Sequence, residues 1–259
     1  MRLDKRITAL GLTRAQAKRL IARGEVRVNG EVERDAGRIV TDADEVRAQG
    51  TAAAAAGHTH LMLFKPAGVL TATRDGRETT VLDLIPAPPR GLGPVGRLDK
   101  DSEGLLLMTS DGDFANAMMH PAAHVPKYYR VTLHSKVQPE QIERFCKGIE
   151  LDGRMTAPAR LEVLLEEPER TVIQVVLYEG RNRQIRRMCE ALGWEVARLR
   201  RTAVGKVRLG SLAPGKWREL EPHEVRDLLL ASKTREKVAA AYIKQGRQGN
   251  SRGNHRSGR

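Results

Sequence analysis

The stretch GRLDKDSEGLLLMTSDGD, residues 96–113, places carboxylates directly before an apolar run. Asp99, Asp101 and Glu103 alternate with other polar residues, and the apolar residues 105–108 follow almost at once. A short, continuous apolar run of this kind is typical of a buried strand. The sequence therefore predicts a polar loop that leads into a central strand, and it raises the question of what the carboxylates do.

A calcium site is one explanation, since Asp99, Asp101 and Glu103 have the spacing of the first ligands of a calcium loop. The explanation fails because Ser110 occupies the position of the bidentate carboxylate, and because the residues in between have the pattern of a strand. Neither an HExxH sequence nor a closely spaced pair of cysteines is present, so zinc lacks ligands. We expect no bound metal.

Other classes of enzyme lack the motifs that they require. No GxxxxGK[ST] loop occurs, and no glycine-rich loop joins a predicted strand to a helix, as nucleotide and dinucleotide binding demand. Aromatic residues make up 3% of the chain, too few for the sugar-binding surface that a pair of glycosidase carboxylates would need. We expect no cofactor.

The charge of the chain predicts a polyanionic partner. The sequence holds 45 Lys and Arg against 32 Asp and Glu, a formal net charge of +13. Residues 231–259 hold 8 basic residues and 1 acidic residue, so more than half of the excess lies near the end of the sequence. A hydrophobic content of 40% over 259 residues allows one medium core and a small accessory domain.

The two cysteines, Cys146 and Cys189, imply no disulfide framework and fit a reducing cytoplasm. No apolar stretch is long enough to span a bilayer, and the first residues lack the apolar run of a signal peptide. We expect a cytoplasmic protein that does not act at a membrane.

The first fifty residues have the pattern of a compact unit. Apolar spacing predicts a short helix over 2–10 and a second helix that ends at Gly24. Asn29-Gly30, flanked by alternating residues, predicts a hairpin. The second helix carries basic residues on one face, which would follow the phosphates of a nucleic acid: Arg14, Lys18, Arg19 and Arg23.

The segments MRLDKRI, TRAQAKRLIARGEVRVNG and GEVERDAGRIV resemble the S4 RNA-binding domain, and we assign residues 1–50 to such a unit. Residues 51–58, small and without periodicity, are predicted to be a linker. Residues 59–230 intermingle strands and helices without βαβ spacing, which predicts an α+β domain with a mixed, mainly antiparallel sheet. Residues 231–259 are predicted to be a basic, disordered tail.

Four segments of the larger domain resemble the signatures of pseudouridine synthases. They are KPAGVL, GRLDKDSEGLLLMTSDG, HVPKYYRV and EGRNRQIRRMCEALG, in the order of that family. Together with the S4-like start, they resemble S4-domain ribosomal RNA pseudouridine synthases of the RsuA/RluB type. The resemblance implies isomerisation of uridine in ribosomal RNA without a cofactor, metal or guide.

The resemblance also implies the catalytic residues. Asp99 would attack C1′ of the ribose or remove a sugar proton to give a glycal, and the sequence leaves both routes open. Tyr129, in the K-x-Y-x-V pattern, would stack on the uracil and assist the final deprotonation. Arg181 would pair with Asp99 and hold it ionised. Asp101 and Glu103 would shape the loop and not react.

Two further residues would bind the substrate. Arg97 would occupy the gap that the flipped uridine leaves or hold the backbone, and Ile185 would form an apolar wall against the uracil. Phosphate contacts and solvated helix positions remain equally open for Arg183, Arg186 and Arg187.

Alternatives to this function remain at this stage. The protein could be a non-catalytic RNA-binding or ribosome-assembly protein, but Asp99, Tyr129 and Arg181 are all present. A methyltransferase would need a glycine-rich cofactor loop after a strand. The segment RNRQIRRMCEALG and the basic tail favour large-subunit (23S) RNA over small-subunit (16S) RNA as the substrate. We expect this substrate to be either free ribosomal RNA or an assembly intermediate of the ribosome. We expect a monomer.

Overall fold

A computed structural model of the protein describes residues 1–8, 12, 14–41, 43–48, 58–120 and 123–233. Of the predicted linker only His58 is described, and of the predicted tail only residues 231–233, so most of both segments lies outside the described residues.

The first unit packs two helices against a small sheet. Its elements are α1 (Leu3–Thr8), α2 (Arg14–Arg23), β1 (Val26–Val28), β2 (Glu31–Val32) and β3 (Val46–Ala48). The sheet has the order β2-β1-β3, and both pairings are antiparallel. Apolar residues at helical and alternate strand spacing form a core of their own: Leu3, Ile7, Ala17, Ile21, Val26, Val28 and Val40.

The predicted hairpin is observed. Asn29 and Gly30 both have positive φ angles, 52° and 87°, as the two-residue turn that matches strand twist requires. Val28 and Glu31 pair directly across this turn.

The larger unit is built on one sheet with the order β10-β11-β7-β12-β6-β4-β14. Its strands are β4 (His60–Lys65), β5 (Gly93–Pro94), β6 (Glu103–Thr109), β7 (Lys127–Leu133), β10 (Arg160–Glu167), β11 (Arg170–Leu177), β12 (Val196–Val204), β13 (Val207–Arg208) and β14 (Trp217–Glu219). The short β5 and β13 pair with β6 and β12, and β8 (Glu150–Leu151) forms a separate hairpin with β9 (Arg154–Met155). Only the β12–β6 pairing among these is parallel, so the predicted mixed, mainly antiparallel sheet is confirmed.

Helices cover both faces of this sheet. Leu106 and Met108 of β6 lie in one core with residues of α4 (Pro139–Lys147) and α5 (Gln184–Glu190). Leu105 and Leu107 lie in a second core with residues of α3 (Gly112–Met119) and α6 (Pro222–Lys233). Burial on both faces explains why β6 has an unbroken apolar sequence.

The end of α6 lies three residues beyond the predicted domain boundary at 230, since the helix continues to Lys233. Within the described part of the chain, no helix is both long and apolar enough to cross a membrane.

Candidate active site

The polar loop predicted from the sequence lies between β5 and β6, and we call residues 95–102 the Asp99 loop. It leads directly into β6, which pairs with β4 on one side and β12 on the other. Asp99 is half-buried in this loop, and its carbonyl oxygen accepts a hydrogen bond from the amide of Ser102 at 3.1 Å. The loop therefore holds its carboxylate at the edge of the most buried part of the sheet.

Lys65, the last residue of β4, holds the backbone of the Asp99 loop in place. Its side chain is fully buried, and its Nζ donates hydrogen bonds to the carbonyl oxygens of Ser102 at 2.7 Å, Pro66 at 3.0 Å and Lys100 at 3.3 Å. The amide of Gly68 donates to the same Lys100 carbonyl at 2.7 Å. Burial lowers the pKa of Lys65 to about 8, although the nearby carboxylates act in the opposite direction.

Thr71 fixes the other side of Asp99. Its hydroxyl donates to the carbonyl oxygen of Leu98 at 2.6 Å and accepts from the amide of the same residue at 3.2 Å. The residue before Asp99 and the residues after it are thus both held by the segment 65–71. Such restraint fixes the position of the Asp99 backbone.

The acidic residues near the loop differ in their partners. Burial acts to raise the pKa of Asp101, but its pairs with Arg183 and Arg186 outweigh burial and lower it. Glu103 pairs with two arginines of β12, and its pKa is lowered in the same way against burial. Among the described residues, none forms an ion pair or hydrogen bond with the Asp99 carboxylate. Asp101 and Glu103 are therefore held in ion pairs, and Asp99 is the unpaired carboxylate of the three among the described residues.

Arg181 does not make the contact predicted for it. Its guanidinium donates to the carbonyl oxygens of Arg154, at 3.0 Å, and Met155, and its Nε lies 3.4 Å from Glu179. The predicted pair of Arg181 with Asp99 is therefore wrong for this structure. The physical reason is that Arg181 precedes the turn into α5 and faces the β8–β9 hairpin.

Arg186, on α5 itself, reaches the Asp99 loop instead. Its Nη2 donates to the carbonyl oxygen of Asp101 at 3.1 Å, and its Nε lies 3.2 Å from the carboxylate of that residue. Arg183 adds two further contacts to the carboxylate, each at 3.2 Å. Arg186, the third residue of α5, thus connects this helix to the loop, whereas the sequence left it between a phosphate contact and a solvated helix position.

Tyr129 lies on the strand next to β12 and is 8% exposed. It belongs to the same core as Ile185 of α5, which is 3% exposed. Tyr128 is only half-buried and points to the opposite face of β7, as alternation predicts. Arg97 is exposed in the Asp99 loop. Tyr129 and Ile185 thus lie together in the core on the α5 face of the sheet.

Three residues near this site were not singled out from the sequence: Lys65, Thr71 and Arg201. Lys65 lies in a quoted motif and directly follows the four apolar residues 61–64 of β4, which is a usable signal. Arg201 follows another arginine in β12, and nothing in the local sequence distinguishes the two. The burial of Arg201, which is 5% exposed, therefore could not be predicted from the sequence. Only the pairing of distant strands reveals it.

The Lys65→Met variant should change the dependence of stability on pH. Because the folded pKa of Lys65, about 8, lies below the ordinary 10.5, the unfolded chain binds more protons between these values. We expect the free energy of unfolding of the wild type, relative to the variant, to be constant below about pH 8 and to rise by on the order of 3 kcal/mol towards pH 10.5.

Urea titrations across this pH range measure the difference. The matched control is Lys216→Met, which removes an exposed lysine close to β4 and should give the wild-type curve. A Lys65→Met curve parallel to the wild type at every pH contradicts the prediction.

Comparison with known proteins places both units. The RNA pseudouridylate synthase family matches residues 59–191, and the S4 domain family matches residues 1–46. The ribosomal large subunit pseudouridine synthase B of Bacillus subtilis is 39% identical over 88% of this chain and 95% of its own. The ribosomal small subunit pseudouridine synthase A of Vibrio parahaemolyticus is 38% identical over 87% and 98%. A crystal structure of a pseudouridylate synthase, 33% identical, matches with a TM-score of 0.65 over 88% of this chain and 99% of that one.

Proposed function

Because the chain belongs to the RNA pseudouridylate synthase family, we propose that it converts uridine to pseudouridine in ribosomal RNA. The reaction breaks the N1–C1′ bond, turns the uracil and joins its C5 to C1′. It moves no electrons to an acceptor and loses no atoms, so it requires no redox cofactor. The family and the named activity of its relatives support this function.

Asp99 is the catalytic carboxylate in this proposal. The observation that carries the assignment is that Asp99 alone of the three carboxylates in residues 99–103 has no ion pair or hydrogen bond among the described residues, while its loop is held on both sides. It attacks C1′ or removes the sugar proton, and either route needs an ionised carboxylate that is not already engaged.

The surrounding residues bind and position the substrate. Tyr129 stacks on the uracil, Ile185 forms the apolar wall and Arg97 compensates for the unstacking of the flipped nucleotide, which costs a few kcal/mol. Arg186 takes the positioning role that the family resemblance implies for Arg181, because it connects α5 to the Asp99 loop.

The first experiment maps pseudouridine on unmodified ribosomal RNA. Small- and large-subunit RNA are each incubated with the full-length protein, and pseudouridines are detected as carbodiimide adducts that stop reverse transcription. We expect one new stop in large-subunit RNA. A stop in small-subunit RNA alone corrects the substrate, since relatives act on each. No stop on either RNA, or on assembly particles tried next, contradicts catalysis and favours the RNA-binding alternative.

The proposal extends to the setting of the protein. We propose a cytoplasmic enzyme for two reasons. Its proposed substrate is ribosomal RNA or an assembly intermediate that contains it, and its two cysteines are not joined by a disulfide. We propose a monomer, because one chain holds Asp99, Tyr129 and Arg186 in a single unit.

The first unit supplies RNA affinity through the basic face of α2. Lys18, Arg19 and Arg23 are exposed on this helix, and the buried Asp4 holds Arg14 by its Nε at 3.1 Å. Burial acts to raise the pKa of Asp4, but Arg2 and Arg14 lower it overall. The Asp4 carboxylate thus holds Arg14 at one end of the basic face of α2, while the Arg14 side chain remains 67% exposed.

Replacing Lys18 and Arg19 together by alanine should weaken RNA binding and reduce its salt dependence. Each lost phosphate contact lowers the slope of log K against log salt by about 0.7–0.9, so we expect a decrease of about 1.5 for the pair. Filter binding at several salt concentrations gives the slope. The control removes Arg144 and Lys147, two exposed basic residues of α4. Equal slopes for both double variants and the wild type rule out this face as the RNA contact.

A further inference from the structure

A row of residues crosses four strands beneath the Asp99 loop. Gly104 of β6 pairs with Lys65 of β4 on one side and Arg201 of β12 on the other, and Arg201 pairs with Tyr129 of β7. Residues directly opposite each other point to the same face of a sheet. Since Tyr129 faces the core of α5, the side chains of Lys65 and Arg201 face the active site with it.

Arg201 is buried without being neutralised. It is 5% exposed, and its Nε donates to the carbonyl oxygen of Leu105 at 2.6 Å. Its two terminal nitrogens have no hydrogen bond or ion pair among the described residues, yet they are not completely buried. A guanidinium desolvated in this way costs several kcal/mol unless a partner arrives. The N–H groups on the two terminal nitrogens of Arg201 are therefore available to donate hydrogen bonds to a ligand beneath the Asp99 loop.

Two further cations lie near Arg201. Burial lowers the pKa of both Lys65 and Lys127 to about 8, and the charge of Arg201 contributes to each shift. Lys127 donates to the carbonyl oxygen of Val125 at 3.0 Å, and none of the three cations forms an ion pair among the described residues. Asp99, Asp101 and Glu103 act on Lys65 only at longer range, so these three cations have no counter-charge in direct contact among the described residues.

We propose that Arg201 binds the detached uracil and stabilises its negative charge. When the N1–C1′ bond breaks, its electron pair stays on the uracil and spreads over N1 and the carbonyl oxygens, while C1′ bonds to Asp99 or the sugar yields a proton to it. Donors that await charge in a nearly dry site stabilise that charge strongly. The anion then attacks C1′ through C5, and Asp99 is released or returns the proton. C5 next loses its proton with the assistance of Tyr129, and N1 takes up one proton, so that no atom is gained or lost overall. This inference rests on the proposed function.

The position of Arg201 selects the base over the RNA backbone. Its neighbour across the pairing is Tyr129, the residue assigned to stack on the uracil, and both lie in the sheet with less than a tenth of their surface exposed. A single flipped base can enter such a buried site because it has left the base stack without its neighbours. A phosphate group is part of the continuous RNA backbone and could enter only together with the strand.

The test compares Arg201→Gln with Arg198→Gln in single-turnover assays on the RNA that the wild type modifies. Arg198 lies on the same strand, is 58% exposed in its side chain and pairs with Glu103, so it is a matched control. We expect Arg201→Gln to lose roughly 10²-fold in rate, with RNA affinity within about twofold of the wild type, and Arg201→Lys to recover part of the loss. Melting curves check that the variants are folded.

Substrate RNA with 5-fluorouridine at the target separates charge stabilisation from a structural role. The fluorine makes uracil a better leaving anion, so the same variant should lose only roughly tenfold in the rate at which 5-fluorouridine disappears from nuclease digests. Equal losses on both substrates, or an Arg201→Gln rate equal to that of Arg198→Gln, overturn this inference and leave the proposed function intact. A wild type that isomerises no uridine overturns the proposed function and this inference with it.

Discussion

The Asp99→Asn protein should bind ribosomal RNA like the wild type and isomerise no detectable uridine. We expect a rate loss on the order of 10⁴-fold or more, the scale seen when an enzyme loses its attacking group. Asparagine keeps the shape of the side chain but can neither attack C1′ as an anion nor take a sugar proton. Because the Asp99 side chain has no ion pair or hydrogen bond among the described residues, its loss leaves the scaffold of the loop in place.

Single-turnover rates on the mapped RNA, with affinities from filter binding, measure this effect. Asp101→Asn is the matched control, two residues away in the same acidic segment and bound to Arg183 and Arg186. It should lose stability and less than about tenfold in rate, because it removes a charged hydrogen-bonded contact and no reacting group. If Asp101→Asn is inactive and Asp99→Asn is active, the catalytic assignment moves to Asp101. If both are active, the site lies elsewhere.

Much of the fold could be predicted because its determinants are local. Asn29-Gly30 predicts a two-residue turn, and the pairing of Val28 with Glu31 confirms it. The start of α3 is also local, because the side chain of Asp111 accepts a hydrogen bond from the amide of Asp113 there. The unbroken apolar run of β6 predicts burial on both faces, as observed.

The contact of Arg181 could not be predicted because it depends on a backbone turn. Arg183 precedes α5 in a left-handed conformation, φ 46°, which is uncommon outside glycine. This turn separates Arg181 from the helix that faces the Asp99 loop and leaves Arg186 in reach of it. A motif fixes the order of its arginines, but the backbone decides which of them meets the carboxylates.

The grouping of the buried cations Lys65 and Arg201 beside Tyr129 could likewise not be predicted from the sequence. Lys65, Gly104, Arg201 and Tyr129 come from four segments that only the strand order β7-β12-β6-β4 places side by side. The parallel pairing of β12 with β6 joins parts of the chain almost a hundred residues apart. Periodicity gives the face of each residue, and it gives no information about which strands are neighbours.

Gly104→Ala should be the most damaging small substitution in the larger domain. Gly104 has φ +110°, and a Cβ atom there would lie 2.2 Å from the carbonyl oxygen and 2.7 Å from the amide nitrogen of Arg201. Both contacts are with backbone, so no side chain can rotate away, and β12 must move from β6. Backbone strain of this kind costs about 1–3 kcal/mol before the clash is counted.

We expect Gly104→Ala to lower the free energy of unfolding by more than about 3 kcal/mol, which corresponds to roughly 10 °C in melting temperature for a domain of this size. Circular dichroism melts measure the change, and insoluble expression would be its extreme form. Gly112→Ala is the control, since this glycine starts α3 with no atom within 4 Å of the added Cβ. Alanine there favours the helix and should leave the melting temperature equal or higher. Equal melting temperatures for the two variants would mean that β12 and β6 separate without cost. The close approach of these strands would then not be what holds Arg201 beside Tyr129.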